Sequence, residues 1–234
     1  MPAYCRPAAY AAFARELTQL DTTRGLFRTA FAIALHERPE ADVERAESTI
    51  AELAQTVCRR VRSPSPQARL AHLHDVLFDV AGFHGNVADY YNPANSYLPD
   101  VLDTRRGLPI ALTLVYARVA EGVGLTVRGI NAPGHFLAAV ECPEPAKTNR
   151  AGDSWMYVDP FYGGEMLNRA DVRRRIEEAT GRVLSDEAEW LAAATHEQWL
   201  SRILYNLQAV FARSGRERDL YAMQELQDLL IARR

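Results

Sequence analysis

Between Pro109 and Val123 the chain places Ile110, Ala111, Leu112, Leu114, Val115, Ala117, Val119 and Ala120, leaving almost no polar face. Such a run predicts a helix that must be covered on every side by other elements. Pro109 suits its first turn, where the missing N–H costs nothing, and Gly122 and Gly124 mark its end. A chain of 234 residues is long enough to supply that cover without disulfides or a structural metal.

The first third reads as helical. Tyr10, Phe13, Leu17 and Leu20 step by three and four over residues 8–20, and Asp21-Thr22-Thr23 supplies caps for a second helix over 23–36. A third helix, 41–61, carries Val43, Ala46, Ile50, Leu53 and Val57 and stops before Pro64 and Pro66; a fourth, 67–81, stops at Gly82. A long Tyr-, Asn- and Pro-rich segment, 83–99, breaks the periodicity. Loops of that length line functional sites or pack on themselves, and the residues leave both readings open. A short helical turn near Leu98–Leu102 leads to the apolar helix.

After Gly124 three strand candidates follow, at 125–131, 135–142 and 154–161, with Pro133-Gly134 as a turn and the polar stretch 143–153 as an exposed loop. Short connections favour an antiparallel sheet. Helices return at 168–180 and 186–195, and residues 196–232 read as two antiparallel helices joined at Ser214-Gly215. The fold class is therefore α+β, with a helical part at 1–82, a core at 83–166 and C-terminal helices at 167–234.

A net charge of −3 is not the footprint of a nucleic-acid binder, and the clusters Arg59-Arg60-Arg62 and Arg173-Arg174-Arg175, beside acidic residues, read as solvated helix faces. No apolar run is long enough to span a membrane, and Arg6, Arg15 and Glu16 interrupt any signal-peptide pattern. Cys5, Cys58 and Cys142 are odd in number and far apart, with no metal-ligand spacing. The expectation is a cytoplasmic protein with no metal and no cofactor.

His135, at the start of the second strand candidate, and Asp159, near the end of the third, suit a base and its orienting acid on neighbouring strands. A buried histidine bonded to a structural aspartate has the same spacing. From order along the chain, Asn95, Tyr97 and Tyr162 are expected to contact a ligand in the same cleft. Gly163-Gly164 reads as a turn, since no phosphate-loop pattern follows it.

Four stretches in order resemble the transglutaminase-like superfamily, specifically its bacterial SirB-type branch with tetratricopeptide-like C-terminal helices. They are Asp89-Tyr90-Tyr91-Asn92-Pro93-Ala94-Asn95-Ser96-Tyr97-Leu98, Arg106-Gly107-Leu108-Pro109-Ile110-Ala111-Leu112, Asn131-Ala132-Pro133-Gly134-His135-Phe136 and Val158-Asp159-Pro160-Phe161. The resemblance implies a papain- or transglutaminase-like core, with a buried central helix on a small antiparallel sheet. It implies a cysteine nucleophile after a Gly-x pair at the head of that helix. Counting from Gly107, and back from Gly124, puts Pro109 there.

Pro109 has no nucleophilic atom, Ala111 offers none either, and Thr113 is a full turn further in. Cys142 falls seven positions after His135 on the opposite strand face, Cys58 stands beside arginines, and Cys5 lies in a terminus of the kind that is often mobile. The expectation is a silent enzyme that keeps the His135–Asp159 pair and binds a protein or peptide. The alternatives are a hydrolase, amidase or protease-like enzyme in which His135 activates water, and a structural subunit of an assembly.

Overall fold

The computed structural model describes residues 2–142, 155–181, 183 and 190–233. The expected loop at 143–153 and residues 186–189 of the expected helix at 186–195 lie outside them. The rest of that helix is corrected, since the chain leaves helical geometry after Trp190 and Ala193 forms an antiparallel bridge with Ile130. Four helices open the chain: α1 (Pro7–Glu16), extended by a 3-10 turn over Leu17–Gln19; α2 (Thr23–Ala34); α3 (Val43–Arg60); and α4 (Pro66–His74). Their starts follow local chemistry. The side chains of Thr22, Asp42 and Ser65 accept the backbone N–H groups left unpaired in the first turns of α2, α3 and α4.

The fourth helix was expected to run unbroken to residue 81. Its α geometry ends at His74, and Asp75–Val80 continues as a π-helix. The wider turn carries Phe78 onto the Tyr116 ring, 6.1 Å away, and against the backbone at Gly164, where an added Cβ would sit 2.1 Å from the phenyl ring. Apolar spacing does not separate the two helix types, so nothing in the residue pattern announces this change.

The strand β1 (His84–Gly85) pairs in parallel with β2 (Arg106–Gly107), and α5 (Leu98–Thr104) lies between them in the chain. Next comes α6 (Pro109–Gly122), buried from Pro109 to Ala117 and again at Val119 and Ala120. It packs against α2, α3, α5 and the sheet that follows. That sheet is an antiparallel meander of β3 (Val127–Ile130), β4 (Leu137–Glu141), β5 (Trp155–Asp159) and β6 (Glu165–Leu167). Two strand expectations are corrected here. His135 precedes β4 in a turn, its N–H donating to the Ala132 carbonyl at 3.2 Å. A fourth strand, β6, also follows Gly163 and Gly164, whose φ values of 67° and 77° reverse the chain. Three residues are too few for alternation to announce a strand.

Helix α7 (Arg169–Thr180) covers the other sheet face, and α8 (His196–Arg213) and α9 (Glu217–Ala232) form the terminal pair. Period-two alternation divides the strands: Ala138, Val140 and Val158 join the main core with α6, while Leu137, Ala139 and Tyr157 meet Val172 and Ile176 of α7 and Trp190. The main core draws on the N-terminal helices, α6, one sheet face and the α8–α9 pair. Cys5 is not in a loose terminus: the Glu225 carboxylate accepts the N–H groups of Ala3, Tyr4 and Cys5, and the thiol is buried. Among the described residues no helix is long and apolar enough to cross a membrane.

This packing can be tested at two positions. Leu114→Ala, in the centre of α6 and fully buried, should cost about 2–5 kcal/mol by urea denaturation; a loss under about 1 kcal/mol would show that α6 is not close-packed. His74 Nε2 faces the Tyr116 hydroxyl at 2.9 Å, and burial lowers its pKa from 6.5 to about 4, against a smaller opposing effect of Asp79. The unfolded chain therefore takes up this proton first as pH falls. The associated stability, up to about 3 kcal/mol, is fully present above pH 6.5 and is lost towards pH 4. His74→Gln should flatten the stability profile across that window.

Candidate functional site

The end of β5 and the turn before β4 meet because the register pairs Ala138 with Val158 and brings the start of one strand to the end of the other. Asp159 closes β5 with no exposed surface, and His135 is nearly as buried. His135 Nε2 lies 2.8 Å from Asp159 Oδ2. The second carboxylate oxygen, Oδ1, accepts the Phe161 N–H at 3.1 Å and so caps the 3-10 turn Pro160–Tyr162.

A third partner comes from α7. Arg175 Nη1 donates to Asp159 Oδ2 at 2.5 Å, and its Nη2 donates to Glu165 Oε2 at 2.6 Å. Its guanidinium lies over the Tyr162 ring, 4.5 Å from the centroid. Burial works against this charge, but the hydrogen bonds to Glu165 and Asp159 outweigh it and the pKa of Arg175 is raised. The expectation that Arg173-Arg174-Arg175 forms a solvated face therefore needs correction. Arg173 and Arg174 pair along the helix with Glu177 and Asp171, whereas Arg175 turns inward. The signal was present in the spacing: Val172 and Ile176 are the buried positions of α7, and Arg175 lies on their side.

His135 Nδ1 has no hydrogen-bond partner among the described residues, so one ring nitrogen is anchored and the other is available. Aromatic rings surround it: Phe161 at 6.2 Å, Tyr162 at 6.1 Å, and Tyr90 beyond Phe161 at 6.0 Å. Tyr162 is exposed and its neighbour Phe161 is buried. Phe161 lies so close to β1 that a Cβ on Gly85 would come within 2.4 Å of its ring. Since β1 pairs with β2, and β2 leads into α6, the head of α6 is tied to the same turn. Pro109 is buried there, and Trp199 Nε1 donates to the Ile110 carbonyl at 3.3 Å.

The other expected contact residues sit differently. Asn95 is buried in the aromatic loop: its Nδ2 donates to the carbonyls of Asp89 and Tyr90, and its Oδ1 accepts from Asn86 Nδ2. The Tyr97 hydroxyl donates to Glu37 Oε2 at 2.8 Å, on the side facing α9, and burial followed by the Glu37 charge raises its pKa. Both side chains thus have partners within the chain, whereas Tyr162 flanks His135.

None of the three thiols is hydrogen-bonded to His135. The Cys5 pKa is pushed up to about 12 by burial and by Glu225, burial raises that of Cys142, and Cys58 is exposed on α3. Thr113 is fully buried, and its hydroxyl has no partner among the described residues. No group of three or more His, Cys, Asp or Glu among the described residues is placed to hold a metal ion.

Residues 44–205 match the family model described as the transglutaminase-like superfamily. A UPF0162 protein of Xylella fastidiosa is 33% identical over 200 residues, which cover 84% of this chain and 68% of that protein. A UPF0162 protein of Vibrio cholerae is 23% identical over 79% of this chain and 66% of its own length. Human F-box only protein 21 is 28% identical over 67% of this chain, a region that makes up 24% of that longer protein. No solved structure matches the chain.

Asp159→Ala would leave His135 and Arg175 facing each other with no carboxylate between them. The variant should lose about 3–5 kcal/mol in thermal or chemical unfolding. Arg175→Met, which keeps much of the side-chain volume, should lose clearly less; equal losses would mean that packing, not charge pairing, holds this corner.

Proposed function

The chain belongs to the transglutaminase-like superfamily, and we propose that within it this protein is a catalytically silent member of the SirB-type branch that binds a protein or peptide segment. One observation carries the reading: the helix head that would bear the nucleophile begins with Pro109, while the His135–Asp159 pair is intact and braced by Arg175. Acyl transfer by this constellation needs a thiolate for the imidazole to activate. Without one, the pair retains a rigid shape and an available Nδ1, which suit recognition of a polar group on a bound chain.

Tyr162 is the cleft contact we assign beside His135. Asn95 and Tyr97 shape the cleft wall through the loop they hold. The α8–α9 pair, read as tetratricopeptide-like, backs the cleft and adds a helical surface for a protein partner. The match to a quarter of a much longer F-box only protein fits a module that works attached to other parts. Three unpaired cysteines suit a reducing, cytoplasmic setting.

A second reading has its own support. The available Nδ1 could take a proton from a bound water, giving a hydrolase or amidase. Turnover of chromogenic esters and peptide amides separates the two: none that depends on His135 is expected, and turnover abolished by His135→Ala would establish the enzyme.

The silent-site reading is also tested by restoring the thiol. Pro109→Cys should be alkylated by iodoacetamide at least tenfold faster than Cys58, and the additional His135→Ala change should remove that advantage. An introduced thiol that reacts no faster than Cys58 in a folded variant would refute the placement of the lost nucleophile at this position.

A further inference from the structure

Two arginines on α8 stand apart from others in the chain. Arg175 and Arg216 are each held by two carboxylates. Arg202 is half-buried, yet its Nη1 donates only to neutral oxygens, Asn131 Oδ1 at 2.6 Å and Ala132 O at 3.2 Å. Among the described residues no carboxylate lies within ion-pair distance of it. Burial accordingly lowers its pKa, opposed only by the nearby Tyr90. Arg213 lies over the Tyr91 ring at 4.0 Å, and it too lacks a carboxylate partner among the described residues. A partly desolvated guanidinium without a counter-ion is costly, and a carboxylate that enters beside it recovers that cost through charge-assisted, two-pronged hydrogen bonds.

The positions also fix a length. Arg202 and Arg213 are eleven residues apart on one helix. That is three turns, so they share a face and stand about 16 Å apart along the axis. An extended chain advances about 3.3 Å per residue and turns every second side chain to the same face, so carboxylates about four residues apart, with their own side-chain reach, meet both. Opposite α8, Tyr91 packs on Tyr90 at 5.4 Å, Tyr90 on Phe161 at 6.0 Å, and Phe161 on His135 at 6.2 Å. The aromatic row therefore runs from Arg213 past Arg202 to the His135–Asp159 pair. Asp89, the acid of that loop, is hydrogen-bonded to Asn92. That bond leaves the Asp89 charge in place, so the positive charge on offer is local to Arg202 and Arg213, on a chain whose net charge is −3 and which has no general attraction for acids.

We propose that the surface where α8 meets the loop 86–92 binds an extended acidic peptide segment whose two carboxylate side chains, about four residues apart and so on one face of the segment, pair with Arg202 and Arg213 and whose backbone leads to His135. The assignment rests on the reading of this cleft as a peptide-binding site, and it names the chemical class of the bound segment.

The probe is a fluorescein-labelled, end-capped pentapeptide, Glu-Ala-Tyr-Ala-Glu, followed by fluorescence anisotropy on the full chain. Its counterpart has Gln at both ends. The acidic peptide should bind at least tenfold more tightly than the neutral one. Arg213→Gln, at an exposed position that leaves the fold undisturbed, should weaken it about five- to tenfold, as should Arg202→Gln. Arg174→Gln, on the distant face of α7, should leave it unchanged. Affinity should also fall steeply with added salt.

Equal binding of the two peptides, still lost in Tyr162→Ala, would overturn the acidic class and leave the peptide cleft standing. Binding of neither would overturn both. Unchanged affinity in Arg213→Gln would remove the second anchor and with it the proposal. Displacement of the acidic peptide by an equimolar single-stranded oligonucleotide would replace it with a polyphosphate ligand.

Discussion

A carboxylate with no exposed surface must have its charge answered inside the protein, and Asp159 answers to that constraint. Its three partners come from three places: His135 from the turn before β4, Arg175 from α7 and the Phe161 N–H from its own capping turn. Each would otherwise be free to move relative to the others. The shared desolvated charge ties the sheet end, the covering helix and the aromatic turn into one corner. The cleft then takes its walls from whatever those elements carry with them.

The second constraint is α6. A helix apolar all round forces helices on one side and a sheet on the other, and the main core reaches from the N-terminal helices to the α8–α9 pair because that surface has to be covered completely. The sheet in turn has two buried faces, so a further helix, α7, is needed beyond it. The cover that α7 provides for Leu137, Ala139 and Tyr157 is also what delivers Arg175 to Asp159. Here packing and site geometry have a single cause: the same helix face supplies Val172 and Ile176 to the core and the guanidinium to the pair.

The cleft contains a fixed imidazole–carboxylate pair, exposed tyrosines and two arginines without carboxylates, but no thiol beside the imidazole. That combination, on the proposed reading, serves to hold a chain in place and not to make or break covalent bonds. On the proposed reading, a family whose resemblance implies catalysis includes a chain built for recognition: losing one atom type at the helix head leaves the fold, the pair and its braces untouched.

The sequence alone determined the apolar helix, the helical start, the strands around Pro133-Gly134 and the terminal helix pair, because periodicity and turn residues act over a few positions. It also marked His135 and Asp159, since their order and spacing are local text, while Pro109 was singled out by what the family resemblance implies for the helix head. It did not reveal the π segment, the short strand after Gly163-Gly164, or the burial of Cys5 under Glu225. Nor did it separate Arg175 from its two solvated neighbours, place Tyr97 against Glu37, or leave Arg202 and Arg213 without carboxylates. Those outcomes depend on which distant segment arrives opposite each side chain, and that is decided only when the helices close over the sheet.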